Sequence, residues 1–322
     1  MTPKPTVAGG QSNLLFTRLV LLLCLIGSVA PSAALADAIL ETARLADKVY
    51  ALIGPTSNRD PQNLGNNANF GVIVTDEGVV LIDPGATYQG ARMIHDAIRS
   101  ITEQPVRLVI NTGGQDHRWL GNAYFKALGA RVIANEKAVA DQQARRQDEF
   151  FRLGSLVGPQ GMAGTEAAYA DETFAEQKVL EIGGTRIELH HAGHAHTPGD
   201  SFVWLPQQQI MFSGDIVYVD RMLGVGPQSA HRSWIGAFEA MAAYQPKVVV
   251  PGHGRPTDLA QATRDTYDYL VFLREAVQAF IDEGQGMEAI GSIDQSRFSY
   301  LQNYESLKGR NAQRVFEELE WE

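Results

Sequence analysis

The sequence predicts an α/β protein, and three observations carry that expectation. Apolar runs of strand length alternate with segments of helical period between Val49 and Glu136. Further strand-like pieces follow from Lys178 to Asp215, with turn residues between them. From Thr257 onward the pattern is mainly helical. The chain has 322 residues, 44% of them hydrophobic, which is globular composition long enough for one large domain with an appendage.

The N-terminal 36 residues stand apart. Lys4 and Arg18 precede the apolar run "LVLLLCLIGSVA", and Ala34 and Ala36 place small residues before Asp37. This reads as a cleavable secretory signal, so the expected location is the periplasm. The run is short for a bilayer span, so no stable membrane anchor is expected after cleavage. Removing residues 1–36 takes away two basic residues and no acidic ones, changing the formal net charge from −10 to −12, and removes Cys24, the sole cysteine. Thiolate ligands are thereby excluded, and the acidity argues against nucleic acid as a partner.

After the leader, "AILETARLADK" reads as a short helical lead and "VYALIG" as a strand. "FGVIVT" and "VVLIDPG" form a hairpin around Asp76-Glu77-Gly78. "GARMIHDAIRSI" has helical spacing, "VRLVINT" reads as a buried strand, and "AYFKALGA" then "RVIANE" read as helix then strand. Residues 137–178 look helical and then loose, a lid over a cleft or a plain surface excursion. "KVLEIGG", "TRIELHHAG", "DSFVWLP" and "QQIMFSGD" are strand-like, "WIGAFEAMAAY" is an amphipathic helix, and "KVVVPGHG" is a strand running into a loop. The expected organisation is a main α/β domain over residues 37–262 and a helical extension over 263–322 packed on it.

Chemistry-bearing residues gather at strand ends. His253 follows "VVVP" between two glycines, Asp215 follows "FSG", and His196 opens the turn "HTPGD". Taken singly, each has a plainer reading as a turn residue or a solvated histidine. Together they form an imidazole and carboxylate set without sulfur, which suits Zn²⁺ and also Mn²⁺ or Fe.

In their order, "GVIVTDEGVVLIDPG", the loop around "INT", "HTPGDSFVWLP", "FSGDIVY" and "VVVPGHG" resemble the metallo-β-lactamase superfamily from about Val49 to Pro256. The resemblance implies an αββα sandwich of two mixed sheets flanked by helices, with Asp83 supporting the metal loops from behind. The secretion signal and "GRNAQRVFEELE" look like a periplasmic branch associated with quinoprotein dehydrogenase systems, which would be a partner.

One motif departs from the pattern. The family's first motif is Asn-Thr-His-x-His-x-Asp-His, with Gly-Asn shortly after; here Asn111, Thr112, Gly121 and Asn122 match. Aligned without a gap, Gly113 and Gln115 replace the first two histidines, His117 replaces the aspartate, and Arg118 replaces the last histidine. That leaves His117, Asp215 and His253, with Arg118 beside the cation or binding an anionic substrate. A slip of one residue instead puts Asp116 and His117 on the Asp-His pair. The slipped reading is preferred, because Asp116, His117, Asp215 and His253 then complete a ligand set for one metal. Asp116 would also serve catalysis, and His196, aided by Gln115 or His194, would belong to a poor first site. The resemblance then implies a metal-dependent hydrolase with one Zn²⁺ expected and a second left open. A metal-activated hydroxide would attack an ester, amide, thioester or lactone bond of a small-molecule substrate. The competing expectation is a catalytically impaired protein that binds a small anionic or quinone-like ligand.

Overall fold

In the computed structural model, residues 39–322 are described; the expected signal segment, residues 1–36, lies outside the described residues. Strands β1 (Glu41–Ala46), β2 (Val49–Ile53), β3 (Asn69–Thr75), β4 (Gly78–Ile82), β5 (Val106–Asn111), β6 (Arg131–Asn135) and β7 (Glu172–Phe174) form a seven-stranded sheet in that order. Pairing is antiparallel through β4 and parallel from β4 to β7. A second sheet of five strands runs β12-β11-β10-β9-β8, from β8 (Gln177–Ile182), β9 (Thr185–His190), β10 (Phe202–Leu205), β11 (Ile210–Phe212) and β12 (Val248–Val250). Only β11 and β12 pair in parallel there.

The two sheets face each other across a shared apolar layer, in which Ile73, Ile82 and Ile110 meet Leu189, Val203 and Phe212. Helix α1 (Tyr88–Ile101) starts at Thr87, whose side chain caps the Gly90 N–H at 2.8 Å. Its Ala91, Ile94 and Ile98 fall on one helical face and pack against Val72, Leu81 and Val109 of the first sheet. Helices α2 (Asn122–Ala127) and α3 (Glu136–Met162) follow on. On the far side, α4 (His231–Ala242), α5 (Leu259–Ala262), α6 (Asp268–Asp282) and α7 (Tyr304–Leu319) complete the helical complement. Trp234, Phe238, Leu270, Leu273 and Val315 join Phe202, Met211 and Val249 in one cluster. This is the αββα layering. Among the described residues, no helix is long and apolar enough to cross a membrane.

Two expectations are corrected. The lead "AILETARLADK" is mostly the edge strand β1, turning into β2 through Lys48 at φ +59°. Ala43 and Leu45 sit two residues apart and reach the layer between the sheets, so strand periodicity and the open edge of β2 override helix propensity. The segment after Glu136 is helical as far as Met162, with a break at Gly158 (φ 74°) before Pro159. Its first turns are not a free lid: a Cβ at Gly199 would lie 1.9 Å from the Ala138 amide nitrogen, so helix and loop are in backbone contact.

The ends of β4, β5, β11 and β12 open onto one rim. Asn69 ties the sheets together there, its amide nitrogen donating to the Pro251 and Gly254 carbonyls at 2.9 and 2.6 Å. Gly254 holds φ +95°, and a Cβ on it would stand 2.1 Å from the Val219 carbonyl oxygen. Gly254→Ala should therefore cost about 2–4 kcal/mol in urea unfolding; a loss below about 0.5 kcal/mol would show that this loop is not built on the contact.

Candidate metal centre

Four loops deliver the site. Beyond β5, a 3₁₀ turn over Asp116–Arg118 places three successive polar side chains in the interior, each 3% exposed or less. Beyond β11, a second 3₁₀ turn over Gly214–Ile216 presents Asp215. The loop beyond β12 presents His253, and the one beyond β9 presents His194 and His196.

Arg118 lies at the centre. Its Nη1 donates to Asp83 Oδ2 at 2.8 Å and to the Asn69 carbonyl at 3.2 Å. Its Nη2 donates to Asp215 Oδ1 at 2.7 Å and to the Gly252 carbonyl at 3.2 Å, and its Nε to Asp215 Oδ2 at 3.2 Å. One guanidinium thus binds one carboxylate through both oxygens and a second through one. Asp83 sits at φ +62° and also accepts from the Thr112 amide and hydroxyl, both at 2.7 Å. Burial keeps the Asp83 carboxyl above its usual range in spite of Arg118. Burial also opposes ionisation of Asp215, but Arg118 and then His117 outweigh it and hold that carboxyl well below the usual range. Arg118 was expected to meet a substrate; it is 1% exposed and absent from the cavity wall, so that role is corrected to an internal counter-charge.

Around the same carboxylate, His117 Nε2 lies 3.2 Å from Asp215 Oδ2 and His253 Nε2 lies 3.3 Å from Asp215 Oδ1. Ligand atoms of His117, Asp215 and His253 all fall within 4.8 Å of one another. This is the set left by the ungapped alignment. The preferred slip is corrected: Asp116 faces away, its Oδ1 accepting from Arg59 Nη2 at 2.7 Å, the His117 amide at 2.6 Å and His117 Nδ1 at 3.0 Å. Asp116 is therefore placed to orient His117 from behind, and not to ligate or react. Burial opposes its ionisation, yet Arg59 and His117 keep it below the usual carboxylate range.

The donor set has the chemistry a divalent cation needs. His253 Nδ1 lies 2.7 Å from the Asn67 carbonyl, so this nitrogen carries the proton. Burial keeps the ring neutral, well below the usual histidine value. Its Nε2 lone pair then faces Asp215 Oδ1, two acceptors that a cation between them would reconcile. Tyr218 stacks on the ring at 4.7 Å and fixes its plane. His117 has two satisfied arrangements. If Nδ1 accepts from Arg59 Nη2, 2.7 Å away, Nε2–H donates to Asp215; if Nδ1–H donates to Asp116, Nε2 is free for a metal.

His196 stands outside this set. Burial lowers it to about 4, so it is neutral; Nδ1–H donates to the Gly224 carbonyl at 3.0 Å, and Nε2 lies 3.1 Å from the Gln115 amide. His196 and Gln115 satisfy each other once the Gln115 amide is turned to donate. His194 is bound to the Gln228 carbonyl at 2.6 Å. His231 is neither in the cleft nor solvated: it is buried, with Nε2 2.8 Å from the Leu270 carbonyl. Trp119 packs on Tyr169 and in an apolar cluster, away from the site.

The geometry leaves no room for a side chain at Gly113, where the resemblance would put the first histidine, or at the neighbouring Gly114. A Cβ at Gly113 would lie 2.5 Å from Asp200 Oδ1, and one at Gly114 would lie 2.0 Å from Asp141 Oδ2. Asp200 is buried and accepts from the Thr197 amide at 2.8 Å, and burial with Asp215 nearby pushes its carboxyl up to about 8. The space beside Gly113 is filled by carboxylate.

Arg59 and Arg221 were not anticipated. Arg59 belongs to the polar loop "PTSNRDPQNLGNNAN", where a charge ordinarily reads as solvated. The available signal was its density of asparagines: Asn63, Asn66, Asn67 and Asn69 bond the loop to itself and to its neighbours.

Two outcomes follow. Arg118→Met leaves Asp83 and Asp215 buried without a counter-charge, so a loss of about 3–5 kcal/mol is expected in denaturant unfolding; a loss under about 1 kcal/mol would contradict the pairing. Asp200 keeps its proton up to about pH 8 when folded, against 3.8 when unfolded, so its contribution to stability is complete below pH 3.8 and lost as pH rises through 8. Asp200→Asn should flatten the fall in melting temperature between pH 5 and 9, and an unchanged slope would refute this assignment.

Comparison with known proteins agrees with the layered fold. The family model described as "Metallo-beta-lactamase superfamily" matches residues 64–253, more than half of the chain. A linear primary-alkylsulfatase of Pseudomonas sp. (strain ATCC 19151) is 19% identical over 257 residues, covering 66% of this chain and 47% of its own, so the chain spans about half that relative's length. A metallo-beta-lactamase type 2 of Elizabethkingia meningoseptica is 25% identical over 190 residues, covering 58% of this chain and 68% of its own. Among solved structures, a metallo-beta-lactamase from Pontibacter korlensis has TM-score 0.58 and 24% identity over 72% of this chain and 99% of its own. A double mutant of the sec-alkyl sulfatase PisA1 has TM-score 0.67 and 18% identity over 90% of this chain and 52% of its own. Two facing sheets, metal-capable residues in the family's order at their ends and a match through His253 lead to one conclusion: the chain belongs to the metallo-β-lactamase superfamily.

Proposed function

We propose that this protein is a metal-dependent hydrolase with one metal position, formed by His117, Asp215 and His253, acting on a small molecule in the periplasm. The observation that carries this reading is the convergence of those three ligand atoms within 4.8 Å, with the His253 Nε2 lone pair turned to the Asp215 carboxylate. Held by these three residues, a zinc-like cation would keep one position open, as catalytic sites do. A bound divalent cation supplies Lewis acidity and brings the pKa of water down to about 7.

The protein's own residues prepare that chemistry. Asn67 and Tyr218 set the proton position and plane of His253. Asp116 selects the His117 tautomer that frees Nε2. Arg118 keeps Asp215 ionised at every pH of interest. His117, His196, Tyr218 and His253 line a cavity of about 220 Å³, which suits a small substrate. The bond class is an ester, amide, thioester or lactone, and the alkylsulfatase relative adds sulfate esters to the panel to be assayed. The physiological setting we propose is a quinoprotein dehydrogenase system.

One observation favours a second reading, a binding protein without metal chemistry. Arg118 already donates to both oxygens of Asp215, and the competing His117 tautomer satisfies His117 with no metal.

Metal content separates the two. After dialysis, the mature protein should retain about one equivalent of zinc by mass spectrometry. His117→Ala and His253→Ala should lose it, while His196→Ala keeps it. Equal losses in His196→Ala and His253→Ala would overturn the single position, and a folded wild type without metal would select the binding protein.

A further inference from the structure

The cavity wall holds a charge pattern that the metal residues do not explain. Arg59, Arg152, Arg221 and Arg310 all line it, and among the described residues lining it there is no aspartate or glutamate. The chain as a whole carries a formal net charge of −10, so this concentration of cations runs against the bulk composition. Of the four, only Arg59 is paired, with Asp116 at 2.7 Å; no carboxylate lies within ion-pairing distance of the others among the described residues.

Arg221 is the decisive member. It is partly buried, its Nη1 donates to the Ser57 carbonyl at 3.1 Å, and its Nε is enclosed without a hydrogen-bond partner. A desolvated guanidinium is costly unless an anion meets it. Burial lowers its affinity for its proton, and Arg59 adds to this, against opposing effects of Tyr218 and Asp215. Arg310 comes from α7, which is fastened over the cavity by Asn311: its Oδ1 accepts from the Val225 amide at 2.9 Å and its Nδ2 donates to the Leu223 carbonyl at 2.8 Å. Helix α7 lies beyond the residues that match the family model.

We propose that Arg221 and Arg59, with Arg310 of the C-terminal helix at the rim, form an oxyanion subsite beside His117 and His253, so that the ligand is a small organic anion carrying a carboxylate, sulfate or phosphate group. As a statement about substrate, this rests on the hydrolase reading above; as a statement about binding, it stands on the cavity alone. The planar fork of arginine donors suits such a group. Met222, Val225 and Leu307 offer an apolar surface to the rest of the molecule.

The test uses metal-free mature protein, so that it is independent of metal retention and turnover. Titration calorimetry with inorganic sulfate, phosphate and acetate at constant ionic strength should show saturable binding of at least one. Arg221→Gln should weaken it at least tenfold, and the exposed Arg310→Gln, which cannot disturb the core, about threefold. Arg297→Gln, whose guanidinium lies over Phe272 and Phe298, should leave it unchanged. The anion preferred names the group. Absence of binding to the wild type, or equal affinities of wild type and both cavity variants, would overturn the proposal, as would an equal loss in Arg297→Gln.

Discussion

A single buried arginine organises the interior of this protein. Arg118 bridges Asp83, at the end of β4, and Asp215, at the end of β11, and so joins the two sheets at the rim where the site is built. It also bonds the Asn69 and Gly252 carbonyls, so strand β3 and the His253 loop are held by the same guanidinium. A charge so deeply placed is tolerated only because every direction around it offers an acceptor. Its presence has a chemical price: the carboxylate that would bridge two metals is already half neutralised.

The loss of the first two histidines and the gain of Arg118 are consistent with one another. Gly113 and Gly114 are pressed by Asp200 and Asp141, and Arg145 bonds Asp141 and Glu149 in turn. Burial and Asp116 push Glu149 up to about 7. This ground is packed with carboxylates and loop backbone. His196 and Gln115 satisfy each other. What remains is Asp215, each of whose oxygens meets both Arg118 and a histidine, His253 at Oδ1 and His117 at Oδ2.

Much of this was legible in the sequence. The alternation of strands and helices, the hairpin at Asp76, and the strand-end positions of Asp215 and His253 follow from periodicity and turn chemistry. The edge strand β1 was not legible, because its spacing fits helix or strand, and the open edge of β2 decides. Nor was the register of the first motif. Asp116 and His117 are adjacent and both are plausible ligands, and only the 3₁₀ turn shows that His117 points inward to Asp215 while Asp116 turns to Arg59. Arg59 and Arg221 escaped notice because a lone arginine in a loop carries no periodic signal. Their role depends on contacts across 57 and more positions of chain.

In the reading proposed above, Arg118 stands in for one cation and leaves room for a single metal. Anomalous diffraction from crystals soaked in zinc tests it directly. One peak is expected, among His117, Asp215 and His253, with Arg118 still bonded to Asp83 and Asp215. Two peaks, or one peak with the Arg118 guanidinium displaced from Asp215, would contradict it.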